Sequence, residues 1–409
     1  MNPSSKSARE PAQQQRGHIG FVSFFIATGQ AGLGGSEQLW FEAARQLHRQ
    51  GYRLSFHDRF NGASPPPWSG LGPRDDLIEP PARSLGARLL QKLFNPSAGQ
   101  HRPASNLRLE RQLHRQRPDL LVLNLGGHLQ GTEEAAAALH ARVPYVLIVQ
   151  HVNDVHWPSN SGDEAFVTLY TKAAACLFVS RANQTSVEAM LGQALPQAAV
   201  IHNPCRLLGE PAVPWPSSST PWRMALPARL DVQDKGQDLL LQVMARPHWR
   251  QQPLELHCFG QGRHSRALLR RRDQLGLSST VFFHAHHQEP SQLWANHHLA
   301  VFASRAEGMS LAMLEAMAAT RPVLSTAVAG HPEVIREGSN GFLASCACAD
   351  SLDEAMQRAW QAREQWQSMG KRARADLLEA WPRDPAADLA HRLSAMLPAV
   401  TPHGTATPC

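Results

Sequence analysis

The sequence predicts two doubly wound α/β domains joined by a proline-rich connector. Short apolar runs alternate with helical patterns along almost the whole chain, the signature of sheets covered by helices. A change of composition around residues 205–221 divides that alternation in two. The 409 residues suffice for two hydrophobic cores of ordinary size.

Taken in order, residues 18–26 read as a buried strand, followed by a Gly-rich turn. A helix then carries Leu39, Trp40, Ala43, Ala44 and Leu47 at helical spacing. Gly51 suits its C-cap, and residues 52–56 form the next strand. Residues 61–118 are irregular and rich in Pro and Arg, with 85–93 fitting a short amphipathic helix. Strands at 120–123, 145–149, 176–179 and 199–201 complete the first half. Pro211, Pro214, Pro216 and Pro221 then flank a run of serines, which reads as a linker. Beyond it come a strand at 223–226, a helix at 237–244 and a strand at 255–259. A helix through 268–275, strands at 281–284 and 299–303, a helix from Leu311 and a strand at 322–325 follow. The expected organisation is a tail (1–17), an N-terminal domain (18–204), the linker (205–221) and a C-terminal domain (222–369). Helices at 370–397 are expected to cross back to the first domain, ahead of a tail at 398–409.

The formal net charge is +6. Arg83, Arg88, Lys92, Arg102, Arg108, Arg111, Arg115 and Arg117 cluster against the single acid Glu110. Such a patch suits anionic lipid headgroups or an anionic acceptor, and equally a solvated surface. No nucleic-acid motif accompanies it, so nucleic acid is not an expected partner. No apolar run is long enough to cross a bilayer, and residues 1–17 lack the apolar core of a signal peptide. The six cysteines are scattered, and Cys346 and Cys348 have no second pair or histidine at zinc-site spacing. Reduced cysteines in a cytoplasmic protein are the expectation, at the inner face of the membrane if the basic patch binds lipid.

The chemistry concentrates in residues 304–318, SRAEGMSLAMLEAMA. Glu307 and Gly308 follow directly on a strand, at the carboxyl end where open α/β sheets bind ligands. Ser310 suits an N-cap, and the helix after it aims free N–H groups at the same place. Glu315 stands on that helix among Leu311, Leu314, Met317 and Ala318. A carboxylate there needs hydrogen-bond donors, and paired sugar hydroxyls fit. Residues 228–241, ARLDVQDKGQDLLL, place Arg229 and Lys235 around a loop at another strand's end, where both can meet one anion.

These two segments resemble the signature of the retaining GT-B glycosyltransferases of the group one type, glycosyltransferase family four. The resemblance implies two facing Rossmann-like domains with a nucleotide-sugar donor held between them, mainly by the second. It implies that Glu307 contacts donor-sugar hydroxyls, that Glu315 holds the ribose, and that the backbone of Gly308, Met309 and Ser310 faces the donor. Arg229 and Lys235 would grip the diphosphate in place of a metal ion, so no metal and no separate cofactor are expected. His151, in VQHVND, resembles the family's active-site histidine; alone it would as readily be structural, with Asp154 orienting it or simply turning the chain. Gly34 and Gly35, in GLGGSE, resemble a glycine turn facing the donor. Gly260 and Gly262, in FGQG, would let a nucleotide approach closely, or are an ordinary turn. The family usually has two glycines where Ala329 and Gly330 stand. The implied reaction is transfer to a hydroxyl of a polysaccharide, lipopolysaccharide or lipid-linked glycan precursor. Nucleotide-sugar epimerisation, phosphorolysis and non-catalytic binding are the alternatives.

Overall fold

The computed structural model describes residues 16–23, 35–58, 70–71, 74–76, 104–217, 221–285 and 289–397. The first sheet contains β1 (Arg16–Ser23), β2 (Tyr52–Asp58), β3 (Arg74–Asp76), β4 (Leu120–Leu125), β5 (Tyr145–Val149), β6 (Ala175–Phe178) and β7 (Ala198–Val200), in the order β3-β2-β1-β4-β5-β6-β7. The second contains β8 (Trp222–Pro227), β9 (Leu254–Phe259), β10 (Val281–His284), β11 (Leu299–Phe302), β12 (Val323–Thr326) and β13 (Gly341–Ala344), in the order β10-β9-β8-β11-β12-β13. Registers such as Ile19↔Leu54, Ile19↔Leu120 and Leu226↔Cys258 are parallel. Both sheets reverse direction of growth beside their first strand, the doubly wound pattern.

The apolar runs become the central strands because helices cover both faces of a parallel sheet. Every residue of β4, β5 and β11 is buried. Gly51 ends helix Gly35–Arg49 with φ +87°, which glycine tolerates without strain. Two strands differ from expectation. Arg74–Asp76 pairs with β2 despite its three charged residues, and Gly341–Ala344, not among the expected strands, forms the edge strand β13. There Asn340 bonds the Val334 carbonyl and Asp376, so the turn chemistry sits just before the strand. The helix expected at 85–93 lies outside the described residues, as do Arg83, Arg88, Lys92 and Arg102.

By its internal contacts the chain divides into two compact units. One comprises Met1–Asn124, Gly131–Val146 and Ala386–Cys409; the other comprises Leu125–Gln130 and Leu147–Pro385. The connector is pinned within the second unit. Fully buried Arg321 donates to the carbonyls of Val213 and Pro214, and to those of Trp294, His297 and Ala319. These carbonyls satisfy a cation that has no acid beside it among the described residues, which is how a guanidinium survives burial. No helix among the described residues is long and apolar enough to cross a membrane.

Candidate active site

Most of the second unit's expected site residues gather around the loop that follows β11. Arg305 clamps this loop to helix Gln237–Met244, forking onto both oxygens of Asp238 at 2.7 and 2.8 Å. Its backbone N–H donates to the Asp234 carbonyl at 2.7 Å. The loop is thereby fastened to the short helix Val232–Lys235, which Asp231 caps and Gly236 ends. Gly236 has φ +61°, and a Cβ there would lie 1.9 Å from the Ala303 carbonyl oxygen, so only glycine fits. That close approach delivers Lys235 to Glu307.

The Lys235 ammonium donates to Glu307 Oε1 at 2.6 Å, and the Ser304 hydroxyl donates to the same oxygen at 2.8 Å. Oε2 carries no hydrogen bond among the described residues. Burial pushes the Glu307 carboxyl up, yet the Lys235 charge and these hydrogen bonds outweigh it and hold the group down at about 2. Glu307 is thus a fixed, buried anion with one oxygen spoken for.

An antiparallel bridge between Val152 and Glu307 sets His151 beside this carboxylate. The imidazole Nε2 is buried without a partner among the described residues. Burial lowers its pKa against the opposing pull of Glu307, favouring the neutral ring. Asp154 is a turn residue whose carbonyl accepts the Trp157 indole N–H at 3.0 Å. A second imidazole, His331, joins the site without having been expected there. It is fully buried, its Nδ1 lies 2.6 Å from Ser325 Oγ, and its Nε2 also lacks a partner among the described residues. Burial lowers its pKa while Glu307 raises it, which places the ring within the electrostatic reach of that carboxylate. Its only sequence signal is its place directly after Ala329 and Gly330.

The glycines answer mainly to packing. A Cβ on Gly308 would meet the Gln150 carbonyl oxygen at 1.9 Å, and one on Gly330 would meet Met309 Cε at 2.5 Å. Cβ atoms on Gly260 and Gly262 would lie 2.2 and 2.5 Å from the carbonyl oxygens of Ala228 and Leu230. Their amides donate to the His284 carbonyl and to Ser265 Oγ. These two glycines therefore seat the Arg229 loop. Arg229 itself is 45% exposed and pairs with Asp234 at 3.3 Å. Each cation of the expected pair accordingly has its own carboxylate partner.

Ser310 occupies the N-cap position of helix Leu311–Ala318 with extended backbone, but its side chain caps nothing. The first N–H groups of that helix have no intrahelical acceptor, and buried Met309 precedes them. Glu315, one turn on, is mostly buried and its carboxylate has no hydrogen bond among the described residues. Burial pushes it up to about 7, against the weaker pull of Arg206. The two glutamates are thus opposites: Glu307 is held as an anion by Lys235 and Ser304, while Glu315 has no protein donor among the described residues and burial favours its neutral form. Of the remaining expected residues, Gly35 begins the first unit's helix Gly35–Arg49, and Gly34 lies outside the described residues. Nearby, Ser180 caps helix Arg181–Leu191 by accepting the Asn183 N–H, and the Asn203 side-chain amide donates to Gln150.

Comparison with known proteins places this geometry. Residues 223–362 match the family model described as "Glycosyl transferases group 1". The crystal structure of Anabaena HepE in complex with UDP and glucose superposes with a TM-score of 0.70 at 20% identity, covering 93% of this chain and 100% of that one. A variant of S. aureus TarM, in complex with Fondaparinux, alpha-GlcNAc-glycerol and UDP, gives 0.69 at 10% identity, covering 92% and 99%. The fold is GT-B, and residues 223–362 are similar to the group 1 glycosyltransferases. Among curated proteins, the GT-B chain is 27% identical over 151 residues to the "Putative glycosyltransferase EpsD" of Bacillus subtilis. It is 32% identical over 194 residues to the "Exopolysaccharide phosphotransferase SCO2592" of Streptomyces coelicolor. These alignments span 37% and 46% of this chain, but only 39% and 20% of the relatives.

Proposed function

We propose that this GT-B chain is a retaining, metal-independent glycosyltransferase that uses a UDP-sugar donor. The observation that carries the reading is the contrast between the two glutamates. Glu315 is a mostly buried acceptor with no donor of its own among the described residues, which a ribose diol would satisfy. Glu307 keeps Oε2 for a donor-sugar hydroxyl while Lys235 holds Oε1. The UDP in the HepE and TarM complexes supports uracil as the base.

In this reading Lys235 and Arg229 face the diphosphate. Cleaving the sugar–phosphate bond leaves negative charge on the departing oxygen, and fixed cations in a low-dielectric site stabilise it. Loss of one such contact costs about 3–4 kcal/mol of barrier. The acceptor hydroxyl attacks from the face that the diphosphate leaves, and the departing phosphate oxygen takes its proton. Neutral His151 offers Nε2 to the transferred sugar. Retention and metal independence belong to this proposal, as does an acceptor among polysaccharide, lipopolysaccharide or lipid-linked glycan precursors. The exposed faces of Val155 and Trp157, on the loop after His151, support an acceptor of partly apolar character.

The test is thermal stability with UDP, GDP, ADP, dTDP and CMP, with and without EDTA, followed by product analysis with UDP-sugars. A shift with UDP that survives EDTA and vanishes in Glu315→Ala, together with an anomerically retained glycoside, is expected. A free epimerised donor or a sugar phosphate as product would replace transfer by the corresponding GT-B reaction. Binding without turnover on any acceptor would leave a non-catalytic protein.

A further inference from the structure

The second unit carries a pair of thiols that the proposed reaction does not use. Cys346 and Cys348 stand between β13 and helix Ala349–Gln361. The Cys348 N–H donates to the Cys346 carbonyl at 3.0 Å, closing a tight turn around Ala347. Their Sγ atoms lie 3.1 Å apart, against ~2.05 Å in a formed disulfide. Little movement separates the thiols from a bond.

The two sulfurs are not equivalent. Cys348 is the N-cap of its helix, and its Sγ accepts the Ser351 N–H at 3.5 Å. That hydrogen bond, with a second from Cys346, draws the Cys348 thiol below its ordinary value, while the contact with Cys348 pushes Cys346 up. A thiolate at a helix N-terminus is the nucleophilic form. Cys346 is exposed and Cys348 is half-buried beside it, so solvent reaches the pair. The other described cysteines contrast: burial pushes Cys176, Cys205 and Cys258 up to about 12, where they are inert.

We propose that Cys346 and Cys348 form a thiol–disulfide exchange site for small disulfides of the glutathione class, with Cys348 attacking and Cys346 resolving. The Cys348 thiolate attacks one sulfur of the disulfide, forming a mixed disulfide and releasing one thiolate. Cys346 then loses its proton to solvent and attacks the Cys348 sulfur, releasing the second. The protein dithiol is oxidised by two electrons, and the small disulfide is reduced to two thiols. The test of this site needs no glycosyl substrate.

The experiment incubates the full chain, Cys346→Ser and Cys348→Ser with oxidised glutathione, quenches by alkylation and reads each cysteine by peptide mass spectrometry. The wild type should lose two hydrogens across the 346–348 peptide without accumulating bound glutathione. Cys346→Ser should stall with glutathione on Cys348. Cys348→Ser should take up glutathione on Cys346 more slowly, because position 346 lacks the Ser351 N–H that favours the Cys348 thiolate. Equal rates in the two variants overturn the assignment of roles. A wild type that stays reduced, or that accumulates mixed disulfide without ring closure, overturns the site.

Discussion

Replacing Glu315 by Gln isolates the energy of a partly desolvated carboxylate that has no protein donor among the described residues. Burial raises this group from 4.5 to about 7. Ionising it inside the fold therefore costs about 3 kcal/mol. Between those two values the folded chain holds a proton that the unfolded chain has released, so stability falls as pH rises through the window. The penalty is absent below about 4.5, where both states are protonated, and complete above about 7. Glutamine keeps the shape and removes the charge. Melting curves of both proteins from acid to pH 8 should coincide at the acid end, the variant melting higher by about 6–12 °C at the alkaline end for a unit of this size. Other titrating groups cancel in the difference. UDP at a hundred times its dissociation constant should add about 2.7 kcal/mol to the wild type and much less to the variant. A difference that stays constant with pH would refute the reasoning, because it would mean that Glu315 is already satisfied.

Lys235→Ala strands the Glu307 carboxylate, and should cost about 3–5 kcal/mol of stability in denaturant melts; Lys235→Met with Glu307→Gln should recover much of it without recovering transfer. Stability held by Glu307 runs opposite in pH to that of Glu315. Its carboxyl is held down at about 2, so this contribution is present above about 4.5 and lost as pH falls through that window; acid titration of Glu307→Gln against wild type checks the sign. Ala329 has φ +45°, so Ala329→Gly should stabilise the fold by about 1 kcal/mol, read as a raised melting temperature. Gly308→Ala must displace the Gln150 carbonyl, and UDP stabilisation should be lost with it. Trp157→Ala should raise the acceptor KM while leaving the UDP shift intact.

The parallel strands were legible because buried parallel sheets demand continuous apolar runs, as at Tyr145–Val149 and Leu299–Phe302. Arg74–Asp76 was not, because a short edge strand needs only backbone hydrogen bonds and no apolar side chains. Glu307, Lys235 and Glu315 could be singled out from their residue types and from the segments that follow strands β8 and β11. Their charge states could not. The sequence makes Glu307 and Glu315 alike; only the fold brings Lys235 and Ser304 to one and leaves the other among apolar neighbours. His331 was hidden for the same reason, since nothing local links it to a carboxylate more than twenty residues earlier. Gly260 and Gly262 announced a close approach, but a glycine cannot say what approaches; here it is the backbone of Ala228 and Leu230. Sequence alone determined the buried strands and their covering helices, because periodicity and apolar content act locally. Tertiary structure decided which charges are paired, because pairing depends on residues distant in the chain meeting where water is excluded.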